Sequence, residues 1–250
     1  MPTAVSFLAL RGLPEIRAGD DLAAIIRAAL RQSGLDLGSR DLLVVAQKIV
    51  SKSEGRLVRL TDITPSAEAQ ALALKVQKDA RFVELVLRES KEILRAVPNI
   101  LISRHRCGWV MANAGIDRSN IPDADEHVLL LPEDCDASAR RLREALAPEH
   151  PAVIISDSFG RPWREGTVNV ALGVAGYAGV LDLRGTTDRA GRTLQSTQIA
   201  LADAVAAGAG LVMGESTEGV PVTLVRGLDF SAPVSDGRSI VRPSEGDLFR

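Results

Sequence analysis

A chain of 250 residues is long enough to bury a full core, and 46% apolar with 25% charged residues is the composition of an ordinary globular protein. A formal net charge of -2 excludes a strongly basic surface for nucleic acid or anionic lipid, and aromatics at 3% exclude an extended base-stacking platform. The two cysteines, Cys107 and Cys135, form neither a metal-ligand pattern nor a disulfide scaffold, which suits a reducing cytoplasm.

Ala4 to Leu10 reads as a first strand, and Asp20-Asp21 caps an amphipathic helix over Leu22 to Ser33. Asp41 opens a continuous apolar strand, Leu42 to Ala46; a polar turn from Gln47 to Gly55 then leads to a β-rich piece, Arg56 to Leu60. Thr64-Pro65-Ser66 starts a helical stretch that runs to about Arg95, broken near Asp79, with Pro65 and Ser66 competing for the cap. Asn99 to His105 and Trp109 to Ala112 read as a strand pair turning at Arg106-Cys107-Gly108. Val128 to Leu131 is a short strand, Cys135 to Leu146 a charged helix, and Ala152 to Ser156 a buried strand ending on Asp157-Ser158. Gly166 to Leu183 reads as a bent strand or hairpin, Thr193 to Ala207 as a helix, Gly208 to Met213 as strand-like, and Val220 to Val225 as the last strand. Without a regular βαβ rhythm, the fold class is α+β, with mixed or antiparallel sheets and flanking helices. Met1 to Leu10 has no basic leader, and Leu201 to Met213 is short and interrupted by Asp203, so neither export nor membrane embedding is expected.

Four segments can carry chemistry. Asp157 and Ser158 at a strand end offer hard oxygens suited to Mg²⁺ or Mn²⁺, with Arg161 and Arg164 nearby for phosphate or carboxylate. In the loop Asn113 to Pro122, Asp117 and Asn120 are three apart and can face one ligand, with Pro122 fixing the exit. Met213 to Pro221 sets glycines around acidic and hydroxyl residues, so backbone N–H groups can approach phosphates while Glu215 faces a metal; it lacks the Gly-Lys-Ser/Thr ending of a P-loop. Lys52, in the polar stretch after the Leu42 strand, is a point cation of the kind that balances a triphosphate. Each segment alone equally fits an ordinary turn. His105, His127 and His150 show no zinc or triad spacing, and no G-x-S-x-G elbow is present.

Together and in order, Gly12 to Ile16, Val45 to Arg56, Ala114 to Asn120, Ser156 to Arg164, Leu181 to Gly185 and Met213 to Pro221 resemble the coenzyme F420-0:L-glutamate ligase family across nearly the whole chain. The resemblance implies a GTP-dependent amide ligase that adds L-glutamate to the lactyl carboxylate of coenzyme F420-0 and can extend it through γ-glutamyl bonds. It implies that Leu13, Pro14, Glu15, Ile16, Gln47, Lys52 and Asn120 contact the nucleotide. Met213, Gly214, Glu215, Ser216, Thr217, Glu218, Gly219 and Val220 would wrap the guanine nucleotide. Asp117 and Asp157 would bind one divalent ion, Mg²⁺ or Mn²⁺, and Ser158 and Glu215 a second, with K⁺ as a stimulating ion. Asp117, Asp157 and Lys52 would carry catalysis, and Arg161, Arg164 and Arg184 are candidates for gripping the acidic substrates. The family's subunit is a two-domain α+β unit in an intertwined homodimer; here the expected subdomain boundary lies near residues 85–110, with a chain return near 165–180. The partners expected are small molecules only, in the cytoplasm. Two other readings of these residues stay open: a metal-dependent nucleotide phosphohydrolase, and a nucleotide-binding protein without chemistry.

Overall fold

The computed structural model describes residues 4–121, 123 and 125–247; Pro122, expected to fix a loop exit, lies outside the described residues. Strand β1 (Ser6–Leu10) leads to helix α1 (Leu22–Gln32), where the Asp21 carboxylate accepts from Ala24 N at 3.0 Å and satisfies a donor the first turn leaves open. In strand β2 (Leu42–Ala46), Leu42, Leu43, Val44 and Val45 are fully buried. Gln47 to Gly55, expected as a polar turn, is instead helix α2 (Gln47–Ser53). Its polar residues disguise it: Gln47 and Ser51 are buried with Ile49 and Val50 and satisfy each other, Ser51 Oγ donating to Gln47 Oε1 at 2.9 Å.

After β3 (Leu57–Arg59) come α3 (Ala67–Val76), capped by Ser66 rather than Pro65, and α4 (Ala80–Arg88), capped by Asp79. The helix expected to reach Arg95 stops at Arg88, and residues 90–97 form strand β4 (Ser90–Val97). It pairs antiparallel with β5 (Ile100–His105), which pairs with β6 (Val110–Ala112). Register shifts at Ser90/Glu92 and Ile93/Arg95 break the twofold alternation, so exposed residues fall at Lys91, Glu92 and Arg95, a spacing that imitates a helix face. β7 (His127–Leu129) pairs with β3, and α5 (Cys135–Ala145) follows. β8 (Ala152–Arg161) does not end at Asp157-Ser158; it continues into a long antiparallel hairpin with β9 (Arg164–Ala175). β10 (Leu181–Asp182) pairs with β11 (Gln198–Ile199), and α6 (Leu201–Met213) precedes β12 (Val222–Arg226). The helix expected from Thr193 thus starts at Leu201, and the glycine-rich run Gly208 to Met213 is its second half rather than a strand.

The main sheet has the order β1-β12-β2-β8-β9, with β2 and β8 parallel and every other pair antiparallel. Alternate residues serve two cores. Leu43, Val45, Val153 and Ile155 pack with α1 and α5, while Leu42, Val44 and Ile154 pack with α6. This is the mixed α+β architecture expected. Burying each such Leu, Val or Ile stabilises the fold by about 1.5–3 kcal/mol. A separate cluster gathers Leu60, Val76, Phe82, Val86, Leu101 and Ile116, and Trp109, Met111, Leu131, Cys135 and Leu172 join it to the sheet side. Among the described residues no helix is long and apolar enough to cross a membrane.

Candidate active site

The parallel pair β2/β8 ends where Ala46 stands opposite Ser156. There β2 passes into α2 while β8 runs on, so Asp157 and Ser158 emerge at the carboxyl ends of two parallel strands, where sheets of this kind hold ligands. A cleft of about 390 Å³ opens at this point. Leu13, Pro14, Glu15 and Ile16 line it from the β1–α1 connection, Gln47, Lys48 and Lys52 from α2, and Asn120 from the loop after β6. Asp157 and Ser158 line it from β8, and Met213 to Pro221 from the connection between α6 and β12. Gly214 makes that last connection possible: its φ is +72°, and a Cβ there would run into the Glu218 side chain. The turn lets the Glu218 carboxylate accept from Ser216 N at 2.8 Å.

All the residues expected to contact nucleotide therefore line one cleft, together with Asp157 and Ser158. Asp117 does not line it; it stands just behind, its carboxylate 2.7 Å from Lys48 Nζ. Lys48 and Lys52, one helical turn apart on α2, both reach the 117–120 loop. Lys48 also donates to Ser119 Oγ, while Lys52 pairs with Glu15 and donates to the Asn120 carbonyl at 2.9 Å. Lys48 and Asn169 line the cleft without having been singled out in the sequence. The signal for Lys48 was its place four residues before Lys52, which has meaning only on a helix. Arg161 and Arg164 are exposed on the β8–β9 hairpin, and Arg184 forms a fork with Asp182; none of the three lines the cleft.

The acidic groups differ in electrostatic state. Asp157 opens onto the cleft but is otherwise densely surrounded, and this desolvation, with the nearby charges of Asp117 and Glu215, pushes its carboxyl to about 7 against the pull of the Ser158 N–H and Lys48. Burial also pushes Asp117 up, but Lys48 and Ser119 outweigh it and hold that carboxyl below its usual range. Ser158 Oγ donates to Glu215 Oε2 at 2.7 Å.

Asp117, Asp157, Ser158 and Glu215 offer oxygen donors only, the set that hard divalent cations take. Among the described residues no three acidic, histidine or cysteine side chains converge as a closed cage. A divalent ion held here by one or two of these carboxylates would need the rest of its ligands from a substrate's phosphates or water. A carboxyl pushed to about 7 chiefly by desolvation, and also by the nearby charges of Asp117 and Glu215, is a position where a cation is favoured.

A family model described as F420-0:Gamma-glutamyl ligase matches residues 12–227. The coenzyme F420:L-glutamate ligase of Methanothermobacter thermautotrophicus is 46% identical over 252 residues, covering 98% of this chain and 99% of that protein. The enzyme of the same name from Natronomonas pharaonis is 45% identical, covering 97% of this chain and 94% of its own. That from Methanopyrus kandleri is 43% identical and covers 94% of each. The matched span runs from the turn at Gly12 through the cleft's last loop and into β12, so the chain belongs to the F420-0:gamma-glutamyl ligase family.

Proposed function

We propose that this chain joins L-glutamate by an amide bond to the lactyl carboxylate of coenzyme F420-0 at the expense of GTP, and can add further glutamates through γ-linkages. The observation that carries the reading is the cleft beyond the Ala46–Ser156 end of the parallel β2/β8 pairing, lined by two lysines, a desolvated aspartate and a glycine-turned loop. That the relatives are named coenzyme F420:L-glutamate ligases supports the choice of substrates.

A carboxylate does not react with an amine until one of its oxygens becomes a leaving group. Attack of the lactyl carboxylate on the γ-phosphorus of GTP gives an acyl phosphate and GDP. The glutamate amine then displaces phosphate and loses a proton. Bringing a triphosphate together with carboxylates crowds negative charge, and catalysis consists largely of positioning and neutralising it. Lys48 and Lys52 supply cations at the cleft wall, and the 213–220 loop would enclose the nucleotide. Asp117 and Asp157 would hold one Mg²⁺ or Mn²⁺, and Ser158 and Glu215 a second. When bound, these ions would neutralise oxygens of the transferring phosphoryl group. Stimulation by K⁺, a homodimeric state and a cytoplasmic location belong to the same proposal.

Incubation with GTP, Mn²⁺, L-glutamate and the deazaflavin acceptor, followed by mass spectrometry, should show added glutamyl units. Asp157→Ala and Asp117→Ala should each lower turnover by about 10²–10³ or more with an unchanged circular-dichroism spectrum. Phosphate release from GTP at the same rate without glutamate and acceptor would refute the ligase and favour a phosphohydrolase.

A further inference from the structure

A second cleft, about 480 Å³, opens beside the first. Asp117 and Arg118 line the second and Asn120 lines the first, so the 117–120 loop is a wall between them. The remaining walls come from the end of α3 and start of α4, the β4–β5 turn and the stretch after β6. The nucleotide site described above uses none of it except Asp117.

Three features of this cleft bear on what it can hold. Lys78 Nζ and the Arg118 guanidinium stand over the Phe82 ring, 5.9 and 5.0 Å from its centroid, and among the described residues neither is ion-paired with a carboxylate. Arg81 occupies both oxygens of the nearby Asp79, which interacts with Arg118 through its charge but makes no direct ion pair with it. The Asn113 carboxamide oxygen is buried and accepts no hydrogen bond, so a donor is lacking where one is needed. Finally, the rim is fixed by backbone: Gln77, the C-cap of α3, Asn99 in the β4–β5 turn and Asn113 all have left-handed φ, of 55°, 65° and 53°.

We propose that this cleft is the subsite for L-glutamate, the amino donor of the reaction proposed above, on which the assignment rests. Lys78 and Arg118 take its two carboxylates, and Asn113 Oδ1 accepts an N–H of its amine. Two unpaired cations match two carboxylates, and the orphaned acceptor matches the one group of the ligand that donates. The amine is then held at the Asp117 wall, beside the cleft in which the activated carboxylate forms. A flat ring fits poorly, since among the described residues Phe82 is the cleft's only aromatic side chain and both cations stand over it.

Ligand-observed NMR of L-glutamate, with Mg²⁺ and a non-hydrolysable GTP analogue present, tests the assignment. The wild-type protein should bind L-glutamate, and Lys78→Gln and Arg118→Gln should each weaken it about tenfold or more with the analogue's affinity unchanged. Arg118→Lys, which keeps the charge, should restore most of the binding. Asn113→Ala should weaken L-glutamate more than glutarate, which has both carboxylates and no amine. Absence of glutamate binding, or binding by the two Gln variants as tight as by the wild type, would overturn the subsite. Glutamylation assays separate the two readings. Glutamate binding that the variants lose, with no amide product from the wild type, sinks the ligase and leaves an acidic amino-acid site. Product formed at the wild-type KM for glutamate by both variants sinks the subsite and leaves the ligase.

Discussion

Replacing Asp157 with Asn should make the metal-free protein more stable while disabling the proposed reaction. The carboxyl stands at about 7 instead of its ordinary 3.8, chiefly because protein desolvates it and also because Asp117 and Glu215 lie near. At about 1.36 kcal/mol per pH unit, the rise corresponds to at most about 4 kcal/mol of folding free energy withheld once the group is ionised in both states. An acid whose folded-state value is raised keeps its proton in the native state after the unfolded chain has released it. Native protein then binds more protons than unfolded, so wild-type stability falls as pH climbs from about 4 to about 7, and levels off above that. Asn cannot ionise and removes this slope. Because Asp157 opens onto cleft water, which shares the charge, the expected gain is about 1–4 kcal/mol near pH 8, vanishing toward about pH 4. Urea denaturation of both proteins in the presence of a chelator, near pH 5 and near pH 8, reads it directly. Equal stability near pH 8, or a gap that widens toward acid, would refute the reasoning. Mg²⁺ added near pH 8 should narrow the gap by stabilising the wild type more than the variant.

Glu89 gives the opposite sign. Burial pushes its carboxyl up, but His105, Arg106 and Arg56 overcome this and hold it at about 2, with Arg56 and Arg106 each 3.0 Å away. The depression from 4.5 is worth about 3 kcal/mol, present above about pH 4.5 and lost as pH falls through about 2. Denaturation midpoints of wild type and Glu89→Gln should therefore converge on acidification, and parallel curves would exclude the role. At Gly173 on β9, a Cβ would strike the backbone carbonyl of Cys135. Neither atom can yield without lifting α5 from the sheet, so Gly173→Ala should cost about 2–3 kcal/mol. A thermal scan should show Tm lowered by roughly 4–10 °C, and an unchanged Tm would contradict the packing.

Much of the fold was legible where burial is simple. The runs Leu42 to Ala46 and Ala152 to Ser156 are apolar because the sheet is covered on both faces, and they form its centre. The Asp79 break and the turn between β5 and β6 follow from capping and turn chemistry. What failed had tertiary causes. α2 carries buried Gln47 and Ser51 that imitate a turn, and β4 carries bulges that imitate a helix. Gly208 and Gly210 suggest a strand but instead let α6 lie against Phe7 and Asn169. For the site, resemblance gathered residues that line one cleft, yet it passed over Lys48, because its role depends on the turn of helix that places it beside Lys52. Of the second cleft only the loop from Asn113 was singled out: the other residues come from stretches that meet it only in three dimensions, and Lys78 and Asn99 look like surface polar residues in the chain.

The two α2 lysines are already spoken for, Lys48 by Asp117 and Lys52 by Glu15. An incoming polyphosphate must draw ammonium groups away from carboxylates, and each carboxylate so abandoned seeks a positive substitute. Anionic and cationic ligands should consequently assist one another's entry, each tightening the other by the same factor. In the proposed reaction, selectivity against lone anions, such as free phosphate arriving without a metal, would then be a property of the resting latch as much as of any contact with a nucleotide.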